Sequence, residues 1–207
     1  MTTKTDTYNY VQNPLGATGG LYTTITPAGL QSTATGAHGS SSGVQDNVTS
    51  WATTNYTFLG DQTSEITFST TTSNDWGGAA VRLKTTGGVA TGAQGYIAYY
   101  IPELTNVQVY ILSAVTANSI GSAGSYILQI TGQTFASTDK LKLGIVGTLL
   151  TVYKNGTSIG TVTDATYSGG QPGLAYEFGN SNGTFITAWT GIDASGGSPT
   201  ATIAWVK

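Results

Sequence analysis

The chain contains no cysteine in 207 residues, which excludes disulfides and thiolate metal sites. Charge is almost as scarce. Asp, Glu, Lys and Arg make up 8% of the chain, with a formal net charge of -3, where about a quarter is usual for soluble domains. Seven scattered basic residues give no footprint for a nucleic acid. No apolar run approaches the ~20 residues that cross a bilayer, so no membrane insertion is expected. The opening MTTKTDTYNY lacks the apolar core of a signal peptide, so the expectation is an unprocessed start and synthesis in the cytoplasm. Disorder is also excluded, because it needs low hydrophobicity with high net charge and 39% of this chain is hydrophobic. Solubility therefore rests on Thr, Ser, Asn, Gln and Gly. Hydroxyls and short amides compete with helical backbone bonds and suit the face of a sheet better.

What is present is a rhythm of short alternating segments. The first fifty residues look turn-rich: NPLG at 13–16 and PAG at 27–29 signal turns, and TATGAHGSSSG at 33–43 reads as loop. NYTFLG at 55–60 and SEITFST at 64–70 are the first firm strands expected, followed by a turn at Ser73–Asp75. In GGAAVRLK, Ala79, Val81 and Leu83 share one face and Ala80, Arg82 and Lys84 the other. TTGGVATGAQG at 85–95 reads as a hairpin loop. Ile97, Tyr99 and Ile101 then alternate with Tyr96, Ala98 and Tyr100, and Val107, Val109 and Ile111 with Gln108 and Tyr110. Tyr126, Leu128 and Ile130 continue the apolar set, as do Leu141, Leu143 and Ile145. Val146-Gly147 opens a turn, and Asn155-Gly156 between LLTVYK and TSIGTVT is a strong hairpin signal because both residues accept positive φ. GLAYEF at 173–178, FITAWTGI at 185–192 and TIAWV at 202–206 complete the set. No amphipathic pattern is long enough for a helix beyond a turn or two. Many short alternating strands separated by turns indicate an all-β, two-sheet sandwich. The length fits one domain over 1–207, with 194–207 as a C-terminal extension or extra strand.

The stretch DKLKLGIVGTLLTVYKNGTSIGTVTDATYSGGQPGLAYEFG resembles the C-terminal half of concanavalin A-like lectin/glucanase domains of the laminin-G-like type. The matching features are Val146-Gly147, Leu150 to Tyr153, Asn155-Gly156, Gly160 to Asp164, and Pro172 to Leu174. FLGDQTSEITFS at 58–69 resembles the family's early strand with its D-Q-x-x-E start, and TAWTGID its closing strand. The likeness runs over roughly residues 5 to 193. It implies an antiparallel jelly-roll sandwich. It leaves function open, because this fold hosts lectins, glycosidases and structural modules alike.

Catalytic residues are not expected. Glycosidases need two carboxylates ~5–10 Å apart across the scissile bond, and glucanases of this fold carry them as E-x-D-x-x-E on one strand. None of the ten acids reproduces that motif. Glu65 is expected to bond backbone or a hydroxyl, Glu103 lies at a strand end after Pro102, and Glu177 stands alone in AYEF. His38, the single histidine, is expected in an exposed loop. Asp46-Asn47 and Asn74-Asp75 are read as turn residues and not as a Ca²⁺ site, since neither has a second carboxylate close in sequence. The N-x-[ST] matches at Asn47, Asn55, Asn155 and Asn182 follow from threonine abundance. No metal or other cofactor is expected.

Binding remains. If the apolar sets above point inward, then Arg82, Tyr96, Tyr100, Gln108 and Tyr110 point outward from neighbouring strands, with Trp76 as a wall in an adjoining loop. Polar-tipped aromatics on one sheet make a shallow platform for a glycan or a protein. The alternative is that these tyrosines cover a half-buried sheet through β propensity alone. Two functions follow. The first is a non-enzymatic structural module of a bacteriophage virion, a capsid decoration or fibre-associated protein, possessing or lacking adhesion to host-surface glycans. The second is a carbohydrate-binding module of a bacterial polysaccharide-active system, in an extracellular setting. The partners expected are other virion proteins, surface glycans or both, in a homo-oligomeric or larger assembly.

Overall fold

The computed structural model describes residues 3–6, 22–24, 30–33, 36–39, 45–51, 57–71, 75–85, 93–113, 126–178, 185–193 and 202–203. Its strands are β1 (Thr3–Asp6), β2 (Tyr22–Thr24), β3 (Leu30–Thr33), β4 (Gly36–Gly39), β5 (Gln45–Trp51), β6 (Gln62–Thr70), β7 (Trp76–Thr85) and β8 (Ala93–Ile101). After a single 3₁₀ turn at Pro102–Leu104 come β9 (Asn106–Ser113), β10 (Tyr126–Ile130), β11 (Lys140–Val146) and β12 (Leu149–Lys154). The last are β13 (Thr157–Thr163), β14 (Gln171–Phe178), β15 (Phe185–Asp193) and β16 (Thr202–Ile203). They build two sheets. One has the order β13-β12-β11-β6-β15-β1-β16, with β4 on β15 and β3 on β4; the other is β10-β9-β8-β7-β14-β5-β2. Every pairing is antiparallel except β1 with β16, which is parallel. The architecture is a jelly-roll sandwich, as the alternation and the family likeness imply.

The hairpin at Asn155-Gly156 forms where expected. Both residues have positive φ, 50° and 82°, the geometry whose twist suits a two-residue connection between β12 and β13. The inner face of β11 is Leu141, Leu143 and Ile145, all fully buried in the core cluster that also holds Ile66, Phe68, Tyr96, Ala98 and Val109.

Several expectations are corrected. The turn-rich opening holds five strands, and His38 lies on β4 opposite Gln31 instead of in a loop. Asp46 and Asn47 lie on β5, opposite Glu177 and Tyr176, and are not turn residues. These strands carry little apolar alternation, so pairing with β14 and β15 defines them and their own pattern does not. Thr57–Gly60 is not strand: Phe58 N donates to Gln171 Oε1 (3.3 Å) and Leu59 N to Asp193 Oδ2 (3.4 Å), so side chains take the place of a ladder. The segments NPLG, PAG and 86–92, along with Asn55, Asn74 and Asn182, lie outside the described residues.

The largest correction concerns which face of β8 points inward. Tyr96, Ala98 and Tyr100 face the other sheet, and Ile97, Tyr99 and Ile101 face away. Both sets are at most 4% exposed, so this strand is buried on both sides and apolarity alone does not orient it. In β7 the alternation breaks at Arg82. Its φ of 54° is left-handed, the pairing with β8 slips between Val81 and Lys84, and Leu83 joins the outer set while Val81 stays inside. β10 also slips, between Tyr126 and Leu128. Leu128 and Ile130 pack inward as expected, but Tyr126 falls opposite Tyr110 on the outer face.

Arg82 ties the two sheets together at one end of the sandwich. Its Nε donates to Gly60 O (2.9 Å), Nη1 to Tyr167 O (2.6 Å) and Nη2 to Gly147 O (2.7 Å). Asp61 Oδ1 lies 3.7 Å from Nη2 and also accepts from Gly147 N at 2.8 Å. Gln62 completes the knot: its carbonyl accepts from Arg82 N (3.0 Å), and its amide donates to Leu59 O (2.7 Å) and Gly170 O (3.0 Å). Gly170 has φ of 138°, and a Cβ there would lie 2.4 Å from the Arg82 carbonyl carbon, so only glycine lets the two backbones meet. Beside the knot, the Tyr96 hydroxyl donates to Asp164 Oδ1 (2.7 Å) and accepts from Tyr167 N (2.9 Å). Burial and the bond to Asp164 push this hydroxyl up to about 12. Burial pulls the Arg82 guanidinium below its ordinary value, with Tyr96 and Asp61 acting in the opposite direction. A second link uses Trp189 of β15, whose Nε1 donates to Ser64 Oγ (2.9 Å) and to Gly173 O across the sandwich (3.1 Å).

Two outcomes follow from the knot. Arg82→Met leaves three carbonyls without their donor, at ~1–3 kcal/mol for each group that stays buried. We expect a loss of about 3–5 kcal/mol in unfolding free energy by urea titration, within the range for a broken buried charge pair. A loss below ~1 kcal/mol would show that the knot is ornamental. For Tyr96, the folded hydroxyl titrates at about 12 and the unfolded one at the ordinary value of 10.0. The unfolded state therefore releases its proton first. This contribution is complete below pH ~10 and is lost as pH rises toward 12. Melting temperature against pH should fall less steeply over that window in Tyr96→Phe than in the parent.

Candidate functional site

The seven-stranded sheet carries a second apolar cluster on the face turned away from the sandwich: Val48, Ala80, Leu83, Ile97, Tyr99, Ile101, Tyr110, Leu112 and Ala175, with Trp76 packed against it. A row of rings crosses four adjacent strands on this outer face. Trp76 of β7 meets Tyr99 of β8 at 6.0 Å between centroids, Tyr99 meets Tyr110 of β9 at 6.2 Å, and Tyr110 meets Tyr126 of β10 at 6.3 Å. All three contacts are edge-to-face, with interplanar angles of 66°, 68° and 85°. Such contacts add ~0.5–1.5 kcal/mol each beyond area burial. The strand spacing of about 4.8 Å brings the rings within reach. The slip in β10 turns Tyr126 to the same face as Gln129, three positions on, since Gln129 lies opposite Gln108.

Polar groups follow the row. Tyr110 donates its hydroxyl proton to Gln108 Oε1, and Gln108 Nε2 donates to Gln129 Oε1 at 2.8 Å. Among the described residues this chain ends on the amide NH2 of Gln129, an exposed side chain. At the other end of the row, Trp76 Nε1 donates to Glu103 Oε1 at 2.7 Å. Glu103 is held there by the 3₁₀ turn, which Thr105 closes in the left-handed region by donating its N–H to Pro102 O. The middle of the row is closed, with Tyr99 and Tyr110 at 0% and 2% exposure; Tyr126 is 47% exposed and Trp76 half-buried.

Of the residues singled out from the sequence, Trp76, Gln108 and Tyr110 come together on this face, with Trp76 as the first residue of β7 and not in a loop. The other three do not join them. Arg82 is spent in the inter-sheet knot. Tyr96 and Tyr100 face the core, Tyr100 against Phe68 and Phe135. Sequence reasoning missed Tyr99, Tyr126 and Gln129. Tyr126 and Gln129 have opposite parity along the chain, and only the strand slip unites them.

Glu65, Asp139 and Asp164 are engaged away from the row in structural roles. Glu65 pairs with Lys140 Nζ at 3.0 Å, instead of bonding backbone or a hydroxyl as expected. Asp139 accepts from Ala136 N, with Asn155 Nδ2 as a second donor, and these bonds hold its carboxyl below the usual range. Burial pushes the Asp164 carboxyl up, but the bonds from Tyr96 and Thr166 outweigh it and the net direction is down. Among the described residues no three His, Cys, Asp or Glu side chains converge as a metal site. What the outer face offers is an exposed ring beside a neutral amide donor, suited to contact with C–H faces and hydroxyl oxygens.

No family model matches the sequence, and no curated protein sequence does. Solved structures do match. The carbohydrate-binding module CBM66 from Bacillus subtilis superposes with a TM-score of 0.57 at 18% identity, over 81% of this chain and 94% of that one. The exoplasmic/lumenal domain of VIP36 in its Ca²⁺/Man3GlcNAc-bound form gives 0.59 at 12% identity, over 94% and 92%. The metal-free carbohydrate recognition domain of Emp46p gives 0.56 at 13% identity, over 90% and 97%. With the sheet order and core described above, these superpositions show that the chain has the concanavalin A-like jelly-roll fold.

Proposed function

We propose that this chain is a non-enzymatic carbohydrate-binding module, with its ligand seated on the outer face of the seven-stranded sheet at Tyr126 and Gln129. The observation that carries the reading is the aromatic row with its hydrogen-bonded amide chain, ending at the sheet edge in an exposed ring and an exposed donor. Sugar rings present C–H groups to aromatic faces and hydroxyl oxygens to amide donors, and Tyr126 and Gln129 supply one of each. The buried part of the row fixes Tyr126 and Gln129 in advance, which lowers the ordering cost of binding. Carbohydrate recognition by CBM66, VIP36 and Emp46p on the same fold supports the reading. The virion role expected from composition finds no support among the described residues, and carbohydrate recognition takes its place.

The test is a glycan array on the intact chain with two variants. Tyr126→Ala and Gln129→Ala should each weaken binding by about tenfold or more, a loss near 1.4 kcal/mol. Both side chains are exposed, so melting temperature should move by only a few degrees. Tyr99→Ala, at a fully buried ring, should instead cost about 3–5 kcal/mol of stability. Glycan binding that survives both exposed variants would remove the ligand from this face.

A further inference from the structure

The distribution of charge narrows the ligand. Only seven cationic side chains occur in the chain, and six fall among the described residues. Lys4, Lys140, Lys142 and Lys154 lie on strands of the nine-stranded sheet, the opposite layer. Three of these are also engaged there: Lys140 with Glu65, Lys154 with Asp139, and Lys142 over the Tyr153 ring at 4.2 Å. Arg82 is 3% exposed and committed to three carbonyls. The sixth, Lys84, is on β7 opposite Gln94. Tyr126 lies opposite Tyr110, which lies opposite Ile97, three residues along β8 from Gln94. Three strand spacings and three residue steps make that separation roughly 17 Å. This is about twice the screening length at physiological salt.

The acids on this face, Glu103 bonded to Trp76 and Glu177 opposite Trp76 in register, sit at the far end of the row; three strand spacings and two residue steps put Trp76 roughly 16 Å from Gln129, so they too lie beyond a screening length. An anionic sugar here would meet one neutral amide, with no described cation within a screening length. Desolvating its charge would go uncompensated. The directed chain Tyr110 to Gln108 to Gln129 ends in a neutral donor, which bonds a hydroxyl or ring oxygen without demanding charge.

We infer that the ligand of the outer face is a neutral glycan, bound without ion pairing, and that sialylated, uronic or sulfated chains are rejected. The inference rests on the carbohydrate-binding reading and specifies its substrate class. The test uses the intact chain on matched glycan pairs, each neutral oligosaccharide printed beside its sialylated or sulfated form, at low and at high salt. Retention of the neutral member at least about tenfold above its charged partner, with little change across the salt range, is the expected result. Equal or preferential retention of charged members, weakening as salt rises, overturns the inference while leaving carbohydrate recognition standing. Retention of no glycan at all overturns that reading and the inference with it. A Gln129→Lys variant adds a second check, because a cation at this edge should raise retention of the charged members. No such rise would place the binding locus elsewhere.

Discussion

The sandwich depends on one buried cation and the backbone that surrounds it. Two sheets packed through apolar side chains are free to slide, since dispersion and water exclusion have little direction. Arg82 supplies direction. It reaches from the middle of β7 into the segment just before β6, the turn between β11 and β12, and the loop leading to β14. Three carbonyls accept from a planar fork of donors, a geometry that lysine does not reproduce. The cost is visible in its left-handed φ, a conformation that disfavours any side chain by about 1–2 kcal/mol. The same kink slips the strand and sends Leu83 to the other face. Fixing the sheet stack and shaping the outer cluster are therefore one event.

The outer cluster extends that logic. A sheet whose two faces are both apolar is usual where each face is covered. The aromatic row uses the second face as a rigid bed, with its closed centre at Tyr99 and Tyr110 and its open end at Tyr126. The amide chain runs beside it and points the same way. A sheet edge braced by packed rings is held more tightly than one built on loops alone.

How much of this was legible in the sequence differs from place to place. The hairpin at Asn155-Gly156, the inner set Leu141, Leu143 and Ile145, and the strands from β6 onward follow from turn chemistry and period-two alternation. The short strands before residue 51 do not, because Gly-Ala-His-Gly and Thr-Lys-Thr-Asp carry no apolar period and owe their form to β14 and β15. Alternation also fails as a compass in β8, where Ile97, Tyr99 and Ile101 are as hydrophobic as a core set yet point away from the opposite sheet. Slips in β7 and β10 invert parity within a strand. They move Arg82 into the knot and Tyr126 onto the outer face, and nothing local in AVRLK or SYILQI marks either one.

Strand order bears on the sequence of assembly during synthesis. β15 lies between β6 and β1, and β14 lies between β7 and β5. The early strands thus wait for neighbours made about a hundred residues later. Until those arrive, β6 and β7 each present a row of unsatisfied amide and carbonyl groups. Such edges recruit foreign strands, and long-range closure is slow. The nascent chain therefore passes through a long interval in which its hazard is sticking to other chains, and this hazard ends only when β14 and β15 have left the ribosome.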